Sequence, residues 1–157
     1  MAKYEITQMG MVVADLDATM RQYHETFGWG PWNIYQYRKP WLSDLKWRGQ
    51  PADFTWLGAE AHAGTTWIEL LQPLEGDSPL ARWLAENGDG VHHIGYEAAT
   101  VDQARELHRS FEDQGMTELL SASCGGNYFF YMDAKPLVIE VWTGSAESAF
   151  TPERTYP

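Results

Sequence analysis

Two stretches of this chain repeat one another, and the repeat limits the available folds more than any other feature. Residues 6–30, ITQMGMVVADLDATMRQYHETFGWG, overlay residues 91–115, VHHIGYEAATVDQARELHRSFEDQG, at an offset of 85 positions. The overlay pairs Gln8 with His93, Gly10 with Gly95 and Asp17 with Asp102. Each stretch opens on a short strand-like run and passes into a helical pattern that ends near glycine. In the first, Leu16, Met20, Tyr23 and Phe27 recur at helical spacing, with Gly28 or Gly30 as the stop. In the second, Val101, Ala104, Leu107, His108 and Phe111 do so after Thr100, a suitable N-cap.

The far ends of the two halves also match. Thr66 to Leu71 (Thr-Trp-Ile-Glu-Leu-Leu) and Leu137 to Trp142 (Leu-Val-Ile-Glu-Val-Trp) each place one Glu inside an apolar strand pattern. Between helix and last strand each half has material for two more strands: Tyr35 to Arg38 and Phe54 to Leu57, then Thr117 to Leu120 and Tyr128 to Met132. The pattern is β-α-β-β-β, twice, within one domain. Module one spans about residues 4–76, a linker helix capped near Ser78 spans 77–89, module two spans 90–143, and 144–157 form a tail. Residues 39–53 read as a long loop. Its Trp41 and Trp47, beside basic residues that include Arg38, suit a lid over an acidic, partly apolar substrate.

Charge narrows the partners. Eleven Lys and Arg against 22 Asp and Glu give a net charge of −11, a field that repels nucleic-acid phosphates and anionic membrane surfaces. Arg38, Lys39, Lys46 and Arg48 gather four of the eleven cations in one stretch, either a solvated surface or a small anion-steering patch. No apolar run approaches the length of a membrane span, and the N-terminus lacks the apolar core of a secretory signal, so a cytoplasmic location is expected. A single cysteine, Cys124, excludes a disulfide framework and a Cys-rich metal site.

The chemistry gathers in four polar residues set in apolar strand patterns: Gln8, Glu69, His93 and Glu140. A carboxylate buried among apolar neighbours is costly unless its charge is compensated. Each half supplies one such residue from its first strand and one from its last. If the halves pack with pseudo-twofold symmetry, the four converge as oxygen and imidazole ligands of a divalent metal, with two carboxylates neutralising it. Period-2 alternation places Val12 on the face of Gln8, Trp67 on that of Glu69 and Trp142 on that of Glu140. These are candidate substrate-binding walls, together with Arg38, for an apolar or aromatic compound.

The runs Gly90-Val91-His92-His93-Ile94-Gly95, Ile68-Glu69-Leu70-Leu71-Gln72-Pro73 and Ser78-Pro79-Leu80-Ala81-Arg82-Trp83-Leu84 resemble the vicinal oxygen chelate superfamily. That superfamily includes glyoxalase I, methylmalonyl-CoA epimerase, extradiol dioxygenases and bleomycin-resistance proteins. The resemblance covers about residues 5–142 and is strongest to the epimerase-like and glyoxalase-like branches. It implies an α+β fold of two paired βαβββ modules forming a curved mixed sheet around a metal site, usually in a homodimer. Epimerases of the family carry His and Gln where this chain has Gln8 and Glu69. The order Gln, Glu, His, Glu is similar to the zinc-type glyoxalase I of eukaryotes. The Arg and Asn that hold glutathione there correspond to Val12 and Pro73, so glutathione is not expected. Asp53 is the residue nearest to the epimerases' second catalytic Glu.

The expectation is therefore a metal-dependent isomerase, epimerase or lyase that removes a proton next to a carbonyl. It would use one divalent ion (Zn, Co, Ni or Mn), with Glu140 as base and Glu69 as its proton-relaying partner. Two alternatives remain: a metal-free small-molecule binding or resistance protein, and an extradiol-type dioxygenase. The latter requires two His and one carboxylate, of which only His93 stands at a matched position.

Overall fold

The computed structural model describes residues 4–144 and 151–157. The chain divides into two compact units. A first-repeat unit comprises Gln8–Arg38, Phe54–His92 and Thr151–Pro157. A second-repeat unit comprises the residues up to Thr7, Lys39–Asp53 and the residues from His93 through the second repeat.

In the first-repeat unit, β1 (Gln8–Val12) leads into α1 (Leu16–Phe27), then β2 (Trp32–Tyr37), β5 (Trp56–Ala63), β6 (Thr66–Pro73), α2 (Pro79–Asn87) and β11 (Arg154–Tyr156). The strands run in the order β11-β2-β5-β6-β1, with β1 parallel to β6 and the other pairs antiparallel. The second-repeat unit contains β3 (Leu42–Trp47), β4 (Gln50–Pro51), β7 (Gly90–Glu97), α3 (Val101–Asp113), β8 (Thr117–Cys124), β9 (Asn127–Ala134) and β10 (Leu137–Trp142). Its strand order is β7-β10-β9-β8-β3-β4, and β10 runs parallel to β7. The two halves thus carry the same β-α-β-β-β path, and the fold is α+β with mixed sheet.

Local chemistry sets the helix limits. Asp15 accepts a hydrogen bond from the Ala18 N–H at 2.9 Å, and α1 stops at Gly28, whose φ of 70° is the left-handed conformation that glycine adopts freely. Ser78 and Thr100 cap α2 and α3 through the N–H groups of Ala81 and Gln103. α1 buries Leu16 and Met20 against Ile34, Ala59, Ala61, Ile68 and Leu70, which share one face of the first-repeat strands. α3 buries Ala104 and Phe111 with Phe130, Met132 and Val141.

The same helical stripe of α3 carries a polar residue into the interior, His108. Its Nδ1 lies 2.6 Å from the Tyr128 hydroxyl and its Nε2 lies 3.2 Å from a Glu118 carboxylate oxygen. Phe130 stacks flat on the ring at 4.4 Å. The other oxygen of Glu118 accepts the Gly49 N–H at 2.8 Å, at the turn between β3 and β4. One buried carboxylate therefore ties helix, sheet and hairpin together.

Residues 39–53 correct an expectation. They are not a long loop: Leu42–Trp47 pairs with β8, and Gln50–Pro51 folds back on it across Arg48 and Gly49, with φ of 51° and 74°. The buried residues of β3 are Leu42 and Leu45, three apart, because the register shifts between Ser43 and Lys46 and Asp44 sits at φ 52°. A bulge of this kind destroys the two-residue alternation that marks a strand in sequence. The tail expected from residue 144 onward includes β11, which pairs with β2; residues 145–150 lie outside the described residues.

One glycine in β5 has a packing reason. A Cβ on Gly58 would stand 2.7 Å from the Tyr37 ring, which stacks on Trp56 at 4.7 Å between centroids. Gly58→Ala is expected to displace that ring and destabilise the protein by about 1–3 kcal/mol, read as a lower urea midpoint. An unchanged midpoint would show that the ring moves without cost.

Candidate metal and substrate site

Each unit turns one sheet face away from its helix, and the four candidate ligands lie on those faces. In the first-repeat unit Gln8 begins β1, in register with Trp67 of β6. Two residues further along β6, Glu69 stands opposite Gly10 of β1 and Glu60 of β5. In the second-repeat unit Glu140 of β10 stands between Gly95 of β7 and Tyr131 of β9. Each carboxylate thus faces a glycine across its parallel neighbour, a position without a side chain to compete for the space. The repeat had paired Gly10 with Gly95, but only the strand register gives that pairing a spatial meaning.

All four groups are out of water: Gln8 is 5% exposed, Glu69 4%, His93 2% and Glu140 4%. Buried charges need compensation, so two carboxylates with a Gln and a His are an unstable inventory for an apolar strand interior on its own. In the second-repeat unit His93 Nε2 lies 3.1 Å from Glu140 Oε2, and the Tyr131 ring meets His93 edge-on at 4.8 Å. In the first-repeat unit the Gln8 Oε1 atom is buried with no hydrogen-bond partner among the described residues. A buried, unused carbonyl oxygen beside a carboxylate strand suits a cation ligand.

The expected wall residues differ in setting. Val12 is fully buried, and Trp67 and Trp142 are half-buried on the faces of Glu69 and Glu140. Trp67 carries the His62 ring against it, with centroids 3.6 Å apart. The Trp142 indole nitrogen is buried without a hydrogen-bond partner among the described residues. Arg38 is exposed and pairs with Glu153 at 3.4 Å. Asp53, also exposed, pairs with Lys39 at 3.1 Å.

Tyr131, Glu60, His62 and Tyr35 were not singled out by sequence. Their signal was register, since directly opposed residues share a face. Burial, followed by the Glu60 charge, pushes the Tyr35 hydroxyl up to about 12, so it stays protonated at neutral pH. The remaining histidines have other surroundings. His24 contacts the Trp29 carbonyl, His92 packs edge-on against Trp83 of α2, and His108 belongs to the α3 cluster. Cys124 is buried in β8.

The sequence profile of the Glyoxalase/Bleomycin resistance protein/Dioxygenase superfamily matches residues 7–141. The chain belongs to this superfamily. No curated protein matches it. Among solved structures, members with the same architecture include a variant of the Streptomyces coelicolor methylmalonyl-CoA epimerase in complex with 2-nitronate-propionyl-CoA. It is 24% identical with a TM-score of 0.62, over 92% of this chain and 100% of that one. The Mycobacterium tuberculosis methylmalonyl-CoA epimerase is 20% identical with a TM-score of 0.63, over 92% and 93%. A hypothetical protein from Bacillus halodurans is 17% identical at 0.63, over 92% and 96%. At these identities the likeness establishes the superfamily fold. Among the described residues no helix is long and apolar enough to cross a membrane.

Proposed function

We propose that this superfamily member is a metal-dependent isomerase, epimerase or lyase that moves a proton next to a carbonyl group of a small substrate. Gln8, Glu69, His93 and Glu140 are its metal ligands. The observation that carries the reading is that each repeat unit buries its own pair of donors among apolar strands, Gln8 and Glu69 in one and His93 and Glu140 in the other. The Gln8 oxygen has no hydrogen-bond partner among the described residues. Two carboxylates match the charge of a divalent ion, and the mixed oxygen and nitrogen donors suit Zn, Co, Ni or Mn.

A divalent cation supplies polarisation of the substrate carbonyl oxygen, which acidifies the adjacent C–H. Glu140 then removes that proton as general base; its Oε2 lies 3.1 Å from His93 Nε2, close enough for the two to share one cation. Glu69, the matching acid of the other half, returns or relays the proton. Tyr131 holds the His93 ring from its edge. The solved epimerases, one of them in complex with methylmalonyl-CoA, support a 1,2-proton transfer on this scaffold. The family's habit of pairing chains makes a homodimer the proposed assembly. Dioxygenase chemistry needs a second histidine; His24, His92 and His108 are engaged elsewhere, and His62 is exposed with its ring against Trp67.

Metal analysis tests the reading directly. Protein purified without chelator is expected to hold close to one divalent ion per chain. Less than about a tenth of an equivalent, with none gained on adding Zn, Co, Ni or Mn, would overturn it in favour of a metal-free binding protein.

A further inference from the structure

The face that carries Glu69 also indicates what sort of molecule it receives. Register fixes its membership: Glu60 stands opposite Glu69, His62 opposite Trp67, Asn33 opposite Glu60, and Tyr35 opposite Gly58. The residues of this face alternate with the apolar set that meets α1; Val12, Trp56 and Leu71 on it are buried, so its accessible part lies among the less buried positions. Trp67, Tyr35, Tyr37, Asn33 and Glu60 are half-buried and His62 is exposed, whereas Glu69 behind them is buried.

Two properties stand out. The first is aromatic surface: His62 lies against Trp67 with ring centroids at 3.6 Å and planes at 35°. Tyr37 is held flat on Trp56, with 6° between planes. The second is charge. No strand residue on this face is Lys or Arg, while Glu60 and Glu69 are acids. The cations of the whole first-repeat unit are Arg21, Arg38, Arg82 and Arg154. Three of them are already paired with acids, Arg38 with Glu153, Arg82 with Asp77 and Arg154 with Asp17. Arg21 lies on α1, beyond the opposite face. A ligand bearing several phosphates needs charge-assisted donors such as Arg or Lys to offset desolvation of its anions, and this face offers none.

We propose that this face receives an uncharged aromatic group of the substrate, stacked on the Trp67–His62 pair, so that the substrate is an aryl-bearing carbonyl compound rather than a phosphate-bearing thioester. The assignment rests on the metal-site reading above, and it departs from the CoA-linked ligands of the solved epimerases. Stacking accounts for selectivity through the ring quadrupole and area, with edges of His62 and Trp67 left to define the plane.

Binding tests it separately from chemistry. Metal-loaded protein is titrated with phenylacetone and with propionyl-CoA by saturation-transfer NMR and calorimetry. Phenylacetone is expected to bind at least tenfold more tightly. Trp67→Ala should weaken it by about tenfold, the upper end of an aromatic contact, while Trp83→Ala on α2 leaves it unchanged. His62→Ala, at an exposed position, gives the same comparison if Trp67→Ala folds poorly, with a loss of about threefold expected. Tighter binding of propionyl-CoA, no binding of phenylacetone, or equal affinity in wild type and both variants would each overturn the inference. Solvent-deuterium exchange into bound phenylacetone is then followed. Intact, Trp67-dependent binding without exchange would sink the proton-transfer reading and leave the substrate-face assignment standing.

Discussion

Glu140→Gln is expected to slow solvent-deuterium exchange into a carbonyl substrate by about 10²–10⁴-fold, the usual contribution of a general base. The amide keeps the size and one carbonyl oxygen of the carboxylate, so ligation survives in part, but it has no basic lone pair of comparable strength for a proton. Glu140 is 4% exposed and in contact with His93, so the loss is not restored by solvent. The variant is compared with wild type at measured metal content, because loss of the ion alone would also slow exchange. A rate per bound metal equal to wild type would remove Glu140 from the role of base. Glu69→Gln treated in the same way separates relay from ligation: exchange of the first proton continues if Glu69 acts only on its return.

The largest effect on stability is expected at Glu118, remote in the sequence from any proposed ligand. Burial alone raises its carboxyl. Hydrogen bonds from His108, from the Gly49 N–H and from Ser121, together with the His108 charge, outweigh burial and hold it below its usual 4.5. Glu118→Ala removes the acid and leaves the buried His108 Nε2 only Glu112 at 3.8 Å, while the exposed Gly49 N–H turns to water, a loss of about 3–5 kcal/mol for a broken buried pair. The pH dependence has a fixed sign. A carboxyl that ionises more readily in the folded state contributes its full stabilisation above the usual value of 4.5, and that contribution fades as pH falls through the lower folded value. Urea unfolding of wild type and variant should therefore differ most at neutral pH and converge in acid. A constant gap down to strong acid would show that Glu118 acts through packing and not through its charge.

Helices were the most legible part of the fold. Asp15, Ser78 and Thr100 at the caps and Gly28 at the end of α1 are local signals, because capping hydrogen bonds span only three or four residues. Strands with regular alternation were legible too, and the offset of 85 located their counterparts. β3 was not. Its buried residues Leu42 and Leu45 are out of phase because of a bulge, and its partner β8 lies more than 70 residues away. β5 was read too short, since Ala59, Glu60 and Ala61 have weak strand propensity and Gly58 resembles a break. Gly58 is there for the Tyr37 ring, a contact no local rule contains.

The candidate ligands were legible for a different reason. A polar residue inside an apolar run is an energetic anomaly, and finding it twice at equivalent repeat positions made Gln8, Glu69, His93 and Glu140 stand out. Their second neighbours were hidden. Tyr131, Glu60 and His62 are ordinary strand residues until pairing sets them opposite Glu140, Glu69 and Trp67. Arg38 illustrates the converse: its position in a basic stretch suggested substrate binding, and the fold gives it Glu153 as a partner.

The sequence by itself determined the repeated β-α-β-β-β order, the helix limits and the four polar residues set in apolar strand runs, because periodicity, capping and desolvation cost are properties of short segments. Tertiary structure decided which residues share a face with those groups, and that residues 42–47 join a sheet. It also brought His108 and Gly49 onto one carboxylate. Those facts depend on strand register and long-range pairing, which a one-residue shift would change while leaving every local propensity intact.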